Sequence, residues 1–164
     1  MEHLLLDGAS AATEMNISFY VSGEPKPQPR PRAFARKMGD HYVARVYEAG
    51  TAEAWKSAIA VAAKEAGLTK FEGAVAVKLY FNFKRPKSHF RSNGMVKESA
   101  PYFHTQRPDY DNLEKGLIDA LTKLGAWEDD AQIADVHTTK HWAIGNWTGG
   151  CSVTIHSLES DPPP

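Results

Sequence analysis

Two aspartates two residues apart, a lysine just beyond them and a second acidic run one helix later are the residues of this chain best suited to chemistry. The first stretch reads Arg107-Pro108-Asp109-Tyr110-Asp111-Asn112-Leu113-Glu114-Lys115, and the second Trp127-Glu128-Asp129-Asp130. Carboxylates held together repel, and a divalent cation between them relieves the repulsion. In an extended segment residues two apart point to one side, so Asp109 and Asp111 are expected to converge, with Pro108 stiffening their approach. Asp111 also reads as a helix cap, because Glu114 three residues on completes a capping box. A cap leaves Asp109 unexplained. Lys115 falls on the helix face of Asp111, and an i+4 ion pair with Asp119 is its bland alternative. For Asp129 and Asp130 the bland alternative is a solvated turn.

A helix of about 13 residues is about 20 Å long. Asp130 therefore meets the first pair only if the chain comes back along that helix, and spacing alone does not establish this. If it does, three carboxylates suit Mg²⁺, with the helix N-terminus and Lys115 adding positive potential for a phosphate. His89, His104, His137 and His141 are scattered. His137 and His141 lie in a strand-like stretch, where the helical spacing of a zinc pair does not apply.

The basic residues lie in two other places. Lys26, Arg30, Arg32, Arg36, Lys37 and Arg45 are opposed in their stretch only by Asp40, and Lys84, Arg85, Lys87, Arg91 and Lys97 form a second group. Net charge is −1 and the pI about 6.7, which argues against non-specific coating of nucleic acid but leaves local patches open. The chain of 164 residues, 42% hydrophobic and 24% charged, fits one globular domain. No apolar run approaches a membrane span, and the N-terminus lacks the pattern of a secretory signal. Cys151 is the only cysteine, so it has no intrachain disulfide partner and reads as a packed core thiol.

The positioning elements follow from periodicity. Residues 1–14 read as an extension, 15–159 as the folded domain and 160–164 as a proline tail. Ile17, Phe19 and Val21 alternate as a strand. Gly23 to Arg32 is proline-rich and extended, projecting basic side chains, with a linker or an SH3-type ligand as the alternative. Residues 33–47 suggest a hairpin around Met38-Gly39-Asp40. Thr51 is placed to cap a helix with Trp55, Ala58, Ile59, Ala62, Ala63 and Ala66 on one face, ending at Gly67. Val75 to Phe83 is the clearest strand, and it feeds a long irregular loop from Lys84 to Arg107. A second helix, 112–124, buries Leu113, Leu117, Ala120, Leu121 and Leu124, with Gly125 at C′. Strands at 132–142 and 151–158 complete an α+β fold, a single mixed β-sheet packed against two main helices.

Asp109-Tyr110-Asp111-Asn112-Leu113-Glu114-Lys115, then Asp119-Ala120-Leu121, then Trp127-Glu128-Asp129-Asp130-Ala131-Gln132-Ile133 together resemble the RusA family of Holliday junction resolvases, crossover junction endodeoxyribonucleases often carried by phages and prophages. The resemblance covers about residues 107–140, and Lys140 fits a basic residue common at the end of the last strand. Gly23 to Arg32 and Pro86-Lys87-Ser88-His89-Phe90 resemble a phage branch of the family more weakly. Tyr110 departs from a more usual aliphatic residue.

The resemblance implies catalytic and metal-binding roles for Asp109, Asp111 and Asp130, with Asp129 as a secondary candidate, and an essential role for Lys115. It implies Mg²⁺, with Mn²⁺ as a substitute, and a homodimer that makes paired symmetric nicks in four-way junctions and related branched DNA during recombination and repair. It also implies action in the bacterial host cytoplasm. Arg30, Arg32, Arg36, Lys37, Lys87 and Arg91 are expected to engage phosphates. For the dimer interface, the face of helix 51–67 and the edge of strand 74–83 are both candidates. Two further readings stand beside this one: a branched-DNA binding protein without catalysis, and a Mg²⁺ phosphodiesterase acting on simpler nucleic acid.

Overall fold

The computed structural model describes residues 14–29, 31–48 and 52–158. The proposed extension 1–14, apart from Glu14, the tail 160–164, Arg30 and Thr51 lie outside them. Among the described residues six strands and two helices follow in the order β1 (Asn16–Ser22), β2 (Pro31–Met38), β3 (His41–Glu48), α1 (Glu53–Glu65), β4 (Val75–Phe83), α2 (Tyr110–Lys123), β5 (Ile133–Trp142) and β6 (Gly149–Ser157). Short 3₁₀ turns occupy Lys87–His89 and Asp130–Gln132.

One mixed sheet carries the fold, in the order β1-β6-β4-β5. Its β1/β6 and β6/β4 pairs are antiparallel, and β4/β5 is parallel. β2 and β3 pair separately as the expected hairpin, turning at Gly39-Asp40. β4 explains why the sheet has one buried face. Its alternation puts Val75, Val77, Leu79, Phe81 and Phe83 into the core, where they join Trp55, Ile59 and Ala63 of α1 and Leu113, Leu117 and Leu121 of α2. Each fully buried side chain of this size contributes about 1.5–3 kcal/mol. The opposite face carries Tyr20, Lys78 and Tyr80 exposed.

Four sequence expectations need correction. β4 is central, flanked by β6 and β5, so it has no free edge for a dimer; the free edges belong to β1 and β5. Leu124 is not part of the buried stripe but is the C-cap of α2 and 44% exposed. Ala66 likewise caps α1 and is exposed. The cap position of α1 falls on Ala52, without a side-chain cap. Gly67 and Gly125 take positive φ at C′, as their sequence positions suggest. Cys151 is fully buried, and burial raises its thiol pKa, which suits a packed rather than a reactive thiol.

Candidate active site

The start of α2 differs in detail from the sequence expectation. The helix begins at Tyr110, two residues early. Asp109 occupies its N-cap in an extended conformation (φ −68°, ψ 144°), while Asp111 lies in the first helical turn. Asp111 is therefore not the capping residue, and the two carboxylates do not share an extended segment. They stand instead at the N-cap and the second helical position of a helix mouth, and no side-chain cap bond ties Asp109 down. Glu114 is turned away from the proposed capping box, because Thr138 Oγ1 on β5 donates to its carboxylate at 2.6 Å. Asp109, Asp111 and Lys115 are all exposed. Among the described residues Lys115 makes no ion pair with Asp119 or any other carboxylate. A helix mouth, two open carboxylates and an uncommitted ammonium thus lie within two turns.

β5 holds this mouth in place. The Lys140 ammonium donates to the carbonyls of Gln106 and Pro108, both at 2.6 Å, and fixes the segment entering Asp109. Burial lowers the Lys140 pKa, while the nearby Asp109 carboxylate acts in the opposite direction. The segment before it adds to the edge of the sheet: His104 N–H donates to the Lys140 carbonyl, and Trp142 N–H donates to the Tyr102 carbonyl. His104 stacks on Phe83 and meets Trp142 at a tilt of 59°, at 4.0 and 4.4 Å between ring centroids. Its Nδ1 is buried without a partner, and burial followed by the charge of Lys140 lowers its pKa to about 4. The Lys84–Arg107 loop is built in the same way. Arg85 Nε donates to the Ala143 carbonyl at 2.8 Å and NH1 to the Pro101 carbonyl at 2.9 Å, so this arginine braces the loop.

The acidic run after α2 lies elsewhere. Glu114 meets Thr138 and Pro108 meets Lys140, so β5 runs antiparallel to α2 and reaches the helix mouth with its C-terminal end. Asp130 precedes the N-terminal end of β5. From Thr138 back to Ile133 alone is about 16 Å at 3.3 Å per residue. The chain does return along the helix, but Asp130 sits where the return begins. Within one chain it does not meet Asp109 and Asp111, and among the described residues no group of three His, Cys, Asp or Glu side chains is placed to hold a metal ion.

Asp129 and Asp130 also differ in commitment. Asp129 caps the 3₁₀ turn, accepting from Ala131 N–H at 2.7 Å, while the Gln132 amide oxygen accepts from Glu128 N–H and, more weakly, Asp129 N–H. Gln132 also donates to the carbonyls of Phe71 and Gly73. The Asp130 carboxylate makes no hydrogen bond or ion pair among the described residues and is exposed, while its carbonyl accepts from the Ile133 N–H.

The proline-rich arm reaches the same helix. Gln28 N–H donates to the Asn112 carbonyl at 3.1 Å, and a Cβ at Gly116 would lie 3.0 Å from the Gln28 nitrogen. Gly116 is thus the contact that lets the arm lie against α2, a role that pattern reading missed because a single helical glycine carries no partner in sequence. The basic candidates scatter. Lys37, Lys87 and Arg91 are exposed, Arg32 and Arg36 lie on β2, and Arg30 is outside the described residues. Arg91 has a surface ion pair with Glu98 at 3.4 Å.

The profile of the family Endodeoxyribonuclease RusA matches residues 22–155. YqaN of Bacillus subtilis, a protein described as uncharacterized, is 31% identical over 130 residues, covering 77% of this chain and 88% of that protein. The crossover junction endodeoxyribonuclease RusA of Escherichia coli K12 is 54% identical over 35 residues, 21% of this chain and 29% of that protein. The corresponding enzyme of Enterobacteria phage 82 matches to the same extent.

Proposed function

This chain belongs to the RusA family of endodeoxyribonucleases, and from that premise we propose that it is a Mg²⁺-dependent, homodimeric resolvase that cuts four-way and related branched DNA by paired symmetric nicks in recombination and repair. The single observation that carries the reading is the mouth of α2, with two open carboxylates and an unpaired lysine at the positive end of a helix. Two-fold symmetry suits a junction that needs two equivalent cuts. The match to a phage enzyme supports a phage or prophage origin and action in the cytoplasm of a bacterial host. Among the described residues no helix is long and apolar enough to cross a membrane.

Asp109 and Asp111 would hold Mg²⁺, or Mn²⁺ in its place, since this ion is commonly bound by one or two carboxylates completed by water and substrate phosphate. When bound there, such a cation would supply Lewis-acid polarisation of the phosphate. Lys115 reaches the same region and stabilises negative charge as it builds on the phosphate oxygens. The α2 N–H groups orient the phosphate, and Lys140 keeps Asp109 positioned through the Gln106 and Pro108 carbonyls. Asp130 is the third acidic member, with Asp129 occupied as a cap. Lys37, Lys87 and Arg91, with Arg30, Arg32 and Arg36 of the arm and hairpin, engage phosphates along the junction arms in a salt-dependent, sequence-tolerant way.

The test is cleavage of an end-labelled synthetic four-way junction in Mg²⁺, beside linear duplex of the same sequence and an Asp111→Asn control. Symmetric nicks confined to the junction, lost in Asp111→Asn while binding is kept or strengthened, are expected. Binding without nicking in either Mg²⁺ or Mn²⁺ would overturn the catalytic reading, and equal cutting of linear duplex would overturn the junction preference.

A further inference from the structure

We propose that Tyr102 and Phe103 form a stacking platform for one unpaired DNA base at the branch point, and that this platform tells branched DNA from continuous duplex. The inference deepens the reading above and rests on its branched-DNA substrate.

The two rings are held in place without being covered. Tyr102 and Phe103 are 56% and 58% exposed. They meet edge to face at 5.0 Å between centroids. Both lean on His141, at 4.8 and 5.2 Å, and His141 is stacked flat on Tyr80 at 3.8 Å. The Tyr80 and Tyr102 hydroxyls share a hydrogen bond of 2.8 Å. His141 is buried, with Nε2 at 2.9 Å from Thr139 Oγ1, and burial lowers its pKa, so this ring is uncharged at neutral pH. Backbone bonds pin the same segment to β5: Trp142 N–H donates to the Tyr102 carbonyl and His104 N–H to the Lys140 carbonyl. Rings fixed in advance lose little freedom when a ligand stacks on them, and an exposed apolar patch of this kind marks a binding site.

The occupant follows from chemistry and position. An exposed aromatic face takes the flat ring of any base, with little regard to sequence. In the DNA on which this family acts, a base inside a duplex has both faces covered by its neighbours. A face is free only where stacking is interrupted, as at a branch point.

The platform and the helix mouth lie on opposite sides of β5. Thr138 and Lys140 reach Glu114 and Pro108 on the α2 side. By alternation Thr139 and His141 lie on the other side, level with Tyr80 and Asn82 of β4. Residues 104–108 cross the edge of the sheet between the two and end at Asp109. Six residues of chain from Phe103 to Asp109 span at most about 22 Å. That is about six steps of 3.4 Å along one DNA strand. A strand with a phosphate at the mouth and a base on the platform therefore turns round the sheet edge within about six nucleotides. A branch point permits that turn, whereas continuous duplex resists bending over so short a length and keeps its bases stacked.

Binding to the full chain tests this, with EDTA present so that divalent cations are held away. The double variant Tyr102→Leu/Phe103→Leu removes both rings and keeps apolar side chains. It should weaken binding to a synthetic four-way junction by about 5- to 150-fold, the range for loss of one stacked base. Binding to linear duplex of the same sequence should be essentially unchanged. Tyr102→Phe/Phe103→Tyr keeps both rings and should bind the junction like the wild type, and both double variants should melt with it. Equal weakening of junction and duplex, or weakening of neither, would overturn the proposal.

A second measurement separates a stacked base from a structural role. Abasic sites are placed singly in the junction, at each of the first several positions out from the branch point. At one position the wild type should lose affinity as the leucine variant does. There the leucine variant should lose nothing further, because base and ring are two halves of one contact. Additive losses at every position would overturn the platform. So would a changed sedimentation rate of the leucine variant with an unchanged ratio of junction to duplex binding, which would assign the rings to a protein contact. None of these readouts needs cleavage. A wild type that fails to nick junctions yet shows this binding pattern sinks the catalytic reading alone. A wild type that nicks them, beside a leucine variant with full junction preference, sinks the platform alone.

Discussion

Acid lability centred on His104 is the most quantitative consequence of the site's scaffold. His104 is 6% exposed, stacked on Phe83 and tilted against Trp142, and its Nδ1 has no partner. Burial first, and then the Lys140 charge, lower its pKa to about 4. In the unfolded chain the value returns to about 6.5. The folded state therefore binds fewer protons between these values, so the stabilising contribution is complete above pH 6.5 and is lost as pH falls through about 4.

At pH 5 the full shift amounts to about 2 kcal/mol, and residual water access at the ring edge reduces this to about 1–2 kcal/mol. His104→Phe keeps an aromatic ring in the stack and removes the titration. Urea unfolding at pH 8 and pH 5 measures the difference. The wild type should lose about 0.5–1 M in its midpoint between the two, and the variant clearly less. Some loss should persist in both, because burial also lowers the pKa of His89 and His141. If the two proteins lose stability in parallel, His104 is not the acid-sensitive group and the account of its environment is wrong.

Lys140→Met should cost about 1–3 kcal/mol, since it removes a charged donor from two carbonyls in a partly exposed site; cleavage should fall further than stability accounts for, read as kcat beside the melting midpoint. Asp129→Ala should lower stability by about 0.5–2 kcal/mol through loss of the cap, whereas Asp130→Asn should leave the melting temperature unchanged and abolish nicking; the reverse pattern would exchange the two roles. Thr122→Val should cost about 1–3 kcal/mol by leaving the buried Trp127 indole N–H unpaired, visible in chemical unfolding.

Much of the scaffold was legible because its periodicities are local. β4 alternates without interruption, α2 carries its leucines at helical spacing, and Gly67 and Gly125 mark helix ends, so these elements lie within two residues of their expected bounds. The site was legible as residue types but not as geometry. The capping box at Asp111 failed because Glu114 has a better partner in Thr138, 24 residues away. Leu124 misled because its position fits the stripe while the helix ends before the stripe would bury it. Gly116 and Arg85 escaped notice because each matters through a distant backbone segment: Gln28 for one, and Pro101 and Ala143 for the other. The direction of β5 relative to α2, which separates Asp130 from Asp109, is likewise a tertiary property that spacing along the chain does not encode.

The parallel pairing of β4 and β5 has a consequence for how such an enzyme can change its preferences. The excursion between β4 and α2 leaves the sheet at Phe83 and is gathered in again by Lys140 at Gln106 and Pro108. Its flanks are further fastened by Arg85, which bonds the Ala143 and Pro101 carbonyls, and by Tyr102 and His104, which pair with β5. Loop closure penalises added length weakly, about 0.6 kcal/mol per doubling. The stretch from Phe90 to Ala100, which lies outside those fastenings, can therefore be exchanged like a cassette, with longer, shorter or differently charged loops set near an unaltered helix mouth, leaving the rest of the domain to fold as before.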